Sequence, residues 1–154
     1  MIKKIILWLA VIGMSMVIFG FSSGTGEQSA GLSEKITYSI IEHIEKIVEI
    51  DDLQRKNMFQ AIHIFVRKGA HFSEFAVLGI LSFLLVKSYG FSRKICTLSA
   101  LLYCLIFAVC DEVHQLFVDG RAGRIIDVCI DFAGSVLGAL LCRLLGFKKN
   151  KQKV

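Results

Sequence analysis

The sequence predicts an all-α membrane protein: a bundle of four transmembrane helices with an amphipathic helical segment on the extracytoplasmic side. Three observations carry this. Hydrophobic residues make up 55% of the 154 residues, and the mean hydropathy is +0.63, more apolar surface than a water-soluble domain ordinarily covers. The apolar residues fall in four runs of roughly membrane-spanning length. The chain also has no proline, so long uninterrupted helices are permitted throughout.

The first run, residues 5–21, follows Lys3 and Lys4 and has 17 residues, the short end of a spanning helix. A signal peptide has the same general form, but no small-residue cleavage site stands out, and a retained helix is the expectation. Residues 22–31, SSGTGEQSAG, read as a loop. From Leu32 to Val48 the pattern becomes amphipathic, with Ile36, Ile40, Ile44, Ile47 and Val48 on one face and Ser33 as its N-cap. This stretch is too polar to span and belongs in the interface or against the bundle. Asp51 and Asp52 break it, and Asp52 is placed to cap a second amphipathic stretch, 53–67, with Met58, Ile62 and Phe65 or Val66 on one side.

The other spans are expected at 67–89, 95–118 and 125–147, so that 1–154 forms one domain ending in a basic tail, 148–154. The formal net charge of +5 does not point to nucleic acid, because the basic residues cluster at the ends of apolar runs. The N-terminus, the 87–94 link and the C-terminal end hold ten basic residues and no acidic one, whereas residues 22–66 hold seven acidic against four basic. The positive-inside rule then puts both termini in the cytoplasm and the 119–124 turn outside. The five cysteines are an odd number without a CxxC pair, and read as small buried hydrophobes rather than a disulfide framework.

Charges within spanning helices are costly and mark function by default. The second span carries Arg67, Lys68, His71 and Glu74; the third carries Asp111, Glu112, His114 and Gln115; the fourth carries Asp127 and Asp131; Arg121 and Arg124 stand in the turn. Counting inward at 1.5 Å per residue, Glu74, Glu112 and Asp131 lie about 9–11 Å below the same surface. One shared polar site is therefore expected. Asp127 and Asp131 share a stripe with Gly134 and Gly138, a small-residue pattern that lets helices approach closely, and Gly69 and Gly79 are expected to do the same on the second span. Each charge also has a structural reading: Arg67 and Arg124 as headgroup anchors, and Glu112 with Arg121 or Asp127 with Lys68 as ionic glue.

The run Lys68-Gly-Ala-His71-Phe72-Ser-Glu74-Phe75, then Leu78-Gly79, then Asp111-Glu112-Val-His-Gln115-Leu-Phe117-Val-Asp-Gly120-Arg121, then Asp127, Asp131 and Gly134 to Gly138, resembles the VanZ-like family of bacterial membrane proteins, as does Phe21-Ser22-Ser23 with Gly26 and Ser29. Two positions depart from the family pattern: Asp119, where proline is usual, and Asp131, where asparagine is frequent. The resemblance implies a four-helix protein of the bacterial cytoplasmic membrane, in a family named for a member that lowers susceptibility to the glycopeptide teicoplanin.

The expected function is binding. An outer-leaflet pocket of Lys68, His71, Glu74, Asp111, Glu112, Gln115, Arg121, Asp127 and Asp131 receives a lipid headgroup, a lipid-linked envelope precursor or a lipoglycopeptide, with no cofactor or metal and with membrane lipids as partners. The alternative is a membrane hydrolase or transferase acting on a lipid-linked phosphate. There His71, Glu74, Asp111 and Glu112 are the candidate catalytic residues, through acid–base or metal chemistry. A proton-coupled carrier is a third reading, and four helices would then require an oligomer.

Overall fold

The computed structural model describes residues 1–24, 26–121 and 123–145, and for residues 26–30 and 32 the backbone alone. Five helices follow one another: α1 (Ile2–Ser23), α2 (Gly26–Glu45), α3 (Asp52–Lys87), α4 (Arg93–Gln115) and α5 (Ile125–Leu144). Four of them, α1, α3, α4 and α5, are long and apolar enough to cross a membrane, the count expected from the runs. The basic tail lies outside the described residues.

The largest departure is α3. Its 36 residues run without a break through the second amphipathic stretch and the second span. Nothing in 52–68 breaks a helix, and Asp51 starts it with a capping box: its side chain accepts from the Gln54 N–H while the Gln54 side chain accepts from the Asp51 N–H. The cap is thus Asp51, and Asp52 is the first helical residue. At 1.5 Å per residue α3 is about 54 Å long, well beyond the roughly 30 Å hydrocarbon core, so its N-terminal third projects past the spanning bundle.

Against that third lies α2, antiparallel, with Tyr38 on Phe59 at 4.8 Å between ring centroids and Glu45 paired with Arg55 at 2.9 Å. The glycine-rich stretch expected as a loop is largely helical, since α2 begins at Gly26. Ser33 is therefore not an N-cap but an interior residue whose carbonyl accepts from Thr37 Oγ1 at 2.7 Å. The buried stripe of α2 is Ser33, Thr37 and Ile41, while Ile36, Ile40, Ile47 and Val48 stay exposed. The isoleucine face is thus turned away from the protein, toward whatever surrounds the bundle.

The spanning helices build one core from Val11 and Ile18 of α1, Phe75, Leu78 and Leu85 of α3, and Cys104 and Ala108 of α4. A second cluster of Phe83, Cys96 and Ala100 closes the opposite end. Helices α3 and α5 touch backbone to backbone. A Cβ at Gly134 would strike the Phe72 carbonyl, one at Gly138 the Ala76 carbonyl, and one at Gly79 the Ser135 carbonyl. The Gly134–Gly138 stripe thus faces inward as expected, whereas Gly69 has open space around it and is no packing glycine. All five cysteines are free. Cys96 and Cys104 are buried, but Cys110 and Cys129 are exposed on the apolar outer face of the bundle.

Candidate polar site

The site forms where the end of α1, the middle of α3, the end of α4 and the start of α5 meet. It begins with Asp111, 1% exposed. Its Oδ2 accepts from Ser22 Oγ at 2.9 Å and from Gln115 Nε2 at 3.1 Å. The same Gln115 amide reaches Glu112 Oε1 at 3.3 Å, and Glu112 Oε2 accepts the Arg124 backbone N–H at 2.8 Å. Glu112 therefore serves the N-terminus of α5, where an anionic acceptor is favoured, rather than pairing with Arg121. Gly123 allows this approach, because a Cβ there would strike the Glu112 carbonyl.

Arg121 turns the other way. Its Nη2 donates to the Phe21 carbonyl at 2.7 Å and its Nε to the Gly24 carbonyl at 3.0 Å, so it satisfies carbonyls at the C-terminus of α1, where a cation complements the helix dipole. Burial presses its pKa below the ordinary guanidinium value, and the Arg67 charge acts in the same direction. Lys68 pairs with Asp127 at 2.7 Å, both largely shielded from water. His114 stacks on Phe19 at 4.3 Å and lies 3.1 Å from Ser23 Oγ, so it belongs to the α1–α4 seam.

Beneath these pairs lie His71, Asp111 and Asp131, which offer one ligand atom each within 4.8 Å of one another. Asp131 is 1% exposed. His71 Nδ1, Asp111 Oδ1 and both carboxylate oxygens of Asp131 are buried without a hydrogen-bond partner. The acid–base pair His71 and Glu74 is looser, with Nδ1 and Oε2 3.9 Å apart. Above the trio opens a narrow cleft with a free volume of about 10 Å³, about what one water occupies, lined by Arg67, Lys68, His71, Glu112, Gln115, Asp127, Ile130 and Asp131.

Of the nine residues singled out in the sequence, six line this cleft. Asp111 lies at its buried side, Glu74 stands off from the lining, and Arg121 is drawn to α1. Two participants were not anticipated. Ser22 holds Asp111; its signals in the sequence are a hydroxyl placed just past an apolar run and its place in the Phe21-Ser22-Ser23 match, neither of which names its partner. Arg67, read as a lipid anchor, lines the cleft and makes no hydrogen bond or ion pair among the described residues. The trio that converges is also not the one expected by depth, since His71 and Asp111 stand where Glu74 and Glu112 were anticipated.

These features define a multi-pass helical membrane protein with a partly buried, charged site between three of its spanning helices and the last turn of the fourth. Residues 6–146 match the VanZ/LLP1 family model, and the chain belongs to that family. No curated protein and no solved structure matches it.

Proposed function

We propose that this VanZ-like protein of the bacterial cytoplasmic membrane binds the anionic headgroup of an envelope lipid or lipid-linked precursor in the cleft between α3, α4 and α5. Both termini are cytoplasmic and the cleft opens into the outer leaflet. Occupancy of the cleft alters susceptibility to lipophilic glycopeptides of the teicoplanin type. The observation that carries the reading is Arg67: a cation lining the cleft with no hydrogen bond or ion pair among the described residues, next to the Lys68–Asp127 pair. A guanidinium presents a planar fork suited to a phosphate. The free space inside the cleft, about 10 Å³, is far below the roughly 300–1,000 Å³ of drug-sized sites, so a whole antibiotic does not fit and a headgroup phosphate would sit at the mouth beside Arg67. The exposed isoleucine face of α2 supports the same setting, as an apolar stripe that seats the projecting hairpin on the membrane surface.

Native mass spectrometry of the protein released from nanodiscs of anionic lipid tests this. Arg67→Ala and Lys68→Ala are expected to lose retained lipid phosphate, and Arg121→Lys is expected to keep it. Equal retention in the wild type and in both alanine variants sinks the proposal.

A further inference from the structure

We infer that His71, Asp111 and Asp131 form a binding site for one divalent transition-metal cation of the Mn²⁺ or Zn²⁺ kind, buried beneath the cleft. Three helices deliver the ligands: α3 brings the imidazole, α4 and α5 the carboxylates, all within 4.8 Å. Ligand atoms about 2.1 Å from one ion in a tetrahedral site lie roughly 3.4 Å from each other, so the three atoms must close by up to roughly 1.4 Å, a movement that side-chain rotation supplies. No backbone rearrangement is required.

The electrostatics call for a cation. The nearby basic groups are already committed or sit apart. Lys68 is paired with Asp127, Arg121 is held by the α1 carbonyls, and Arg67 lines the cleft mouth. Neither Asp111 nor Asp131 has an ion-pair partner among the described residues, and carboxylates this deeply buried are disfavoured without one. A shared proton satisfies one donor and one acceptor, which leaves buried atoms orphaned among His71 Nδ1, Asp111 Oδ1 and the two Asp131 oxygens. A metal ion takes an atom from each of the three residues at once.

The support is also that of a ligand set. Asp111 Oδ2 is tied down by Ser22 and Gln115, which fixes the carboxylate and leaves Oδ1 for the ion. Such outer hydrogen bonds orient metal ligands in known sites. One imidazole nitrogen with carboxylate oxygens suits Mn²⁺ or Zn²⁺, whereas Ca²⁺ asks for six to eight oxygens. Open positions on the ion would face the cleft, where a phosphate held by Arg67 would meet it.

The experiment uses the full chain in detergent, stripped with EDTA and then titrated with Mn²⁺ or Zn²⁺. Bound metal is measured by elemental mass spectrometry after gel filtration, alongside the thermal melting midpoint. About one ion per chain and a raised midpoint are expected for the wild type. Asp131→Asn and Asp111→Asn, near-isosteric changes, are expected to bind at least tenfold more weakly, as is His71→Gln. His43→Gln, on α2, is the control and keeps the ion. Absence of a retained ion in the wild type overturns the inference, and so does undiminished stoichiometry in folded Asp131→Asn and His71→Gln protein. Melting that follows pH but not metal assigns the cluster to a proton and overturns it equally. Arg67→Ala separates this site from the headgroup reading, because it is expected to lose lipid while keeping the ion.

Discussion

Oε2 of Glu112, near the end of α4, accepts the backbone N–H of Arg124, the N-cap of α5, at 2.8 Å. Neither α1 nor α5 has a capping side chain of its own at its N-terminus, so for α5 a distant carboxylate fills that role. The contact is only part-buried, so water partly replaces it when it is removed, and the expected cost is about 0.5–1.5 kcal/mol. Glu112→Ala is expected to lower the melting midpoint in detergent, and Glu112→Gln, which retains an acceptor, to lower it less. An alanine variant that melts with the wild type shows that this contact does not hold the turn.

The Lys68–Asp127 pair joins α3 to α5 at 2.7 Å in a site largely closed to water. Removing one partner strands the other, and because both remain partly accessible the expected loss is about 1–3 kcal/mol, below the figure for fully buried pairs. Lys68→Ala and Asp127→Ala each destabilise, while the double variant costs less than the two losses added. The coupling measured in that cycle is the test. Additive losses would mean the two side chains act independently.

Glycine substitutions on α3 and α5 are expected to split cleanly. Gly138→Ala and Gly134→Ala push a Cβ into the Ala76 and Phe72 carbonyls, and the helices must separate, at a cost of about 1–3 kcal/mol or more. Gly69→Ala, on α3, meets open space and is expected to stabilise by about 0.5–1 kcal/mol through helix propensity. Melting curves of the three variants decide it. A destabilised Gly69→Ala would contradict the open space at that position.

Those glycines show what a sequence carries. Apolar runs and the absence of proline were enough to count spanning helices, and Gly134 and Gly138 were legible because they share a stripe with Asp127 and Asp131. Gly69 was not separable from them, since whether a neighbour sits opposite a glycine is a tertiary fact. The same limit explains the site. Asp111 and Glu112 are adjacent, about 100° apart on a helix, and both are buried. Nothing local decides which faces His71 and which reaches Arg124; the packing of α5 does. Ser22 was hidden for a similar reason, as its partner lies 89 residues away. In α2 the row of isoleucines drew attention to Ile36 and Ile40, but helix pairing with α3 buried the smaller Ser33–Thr37–Ile41 stripe.

Orientation in the membrane yields the last prediction. Among the described residues, Lys3, Lys4, Lys87, Arg93, Lys94 and Arg143 gather at the end of the bundle where Arg93 donates to the Arg143 carbonyl at 3.3 Å and Lys4 lies 4.2 Å from the Tyr89 ring. By the positive-inside rule such a cluster, with no acidic residue, is expected on the cytoplasmic side, and the 119–124 turn and the α2–α3 hairpin are then expected to face outward. In a cysteine-free background, Asp119→Cys and Asp52→Cys are expected to react with an impermeant maleimide in intact cells, and Lys94→Cys only after the membrane is opened. Labelling in the reverse order would invert the bundle and place the cleft, with Arg67 at its mouth, in the inner leaflet, out of reach of any envelope precursor presented from outside.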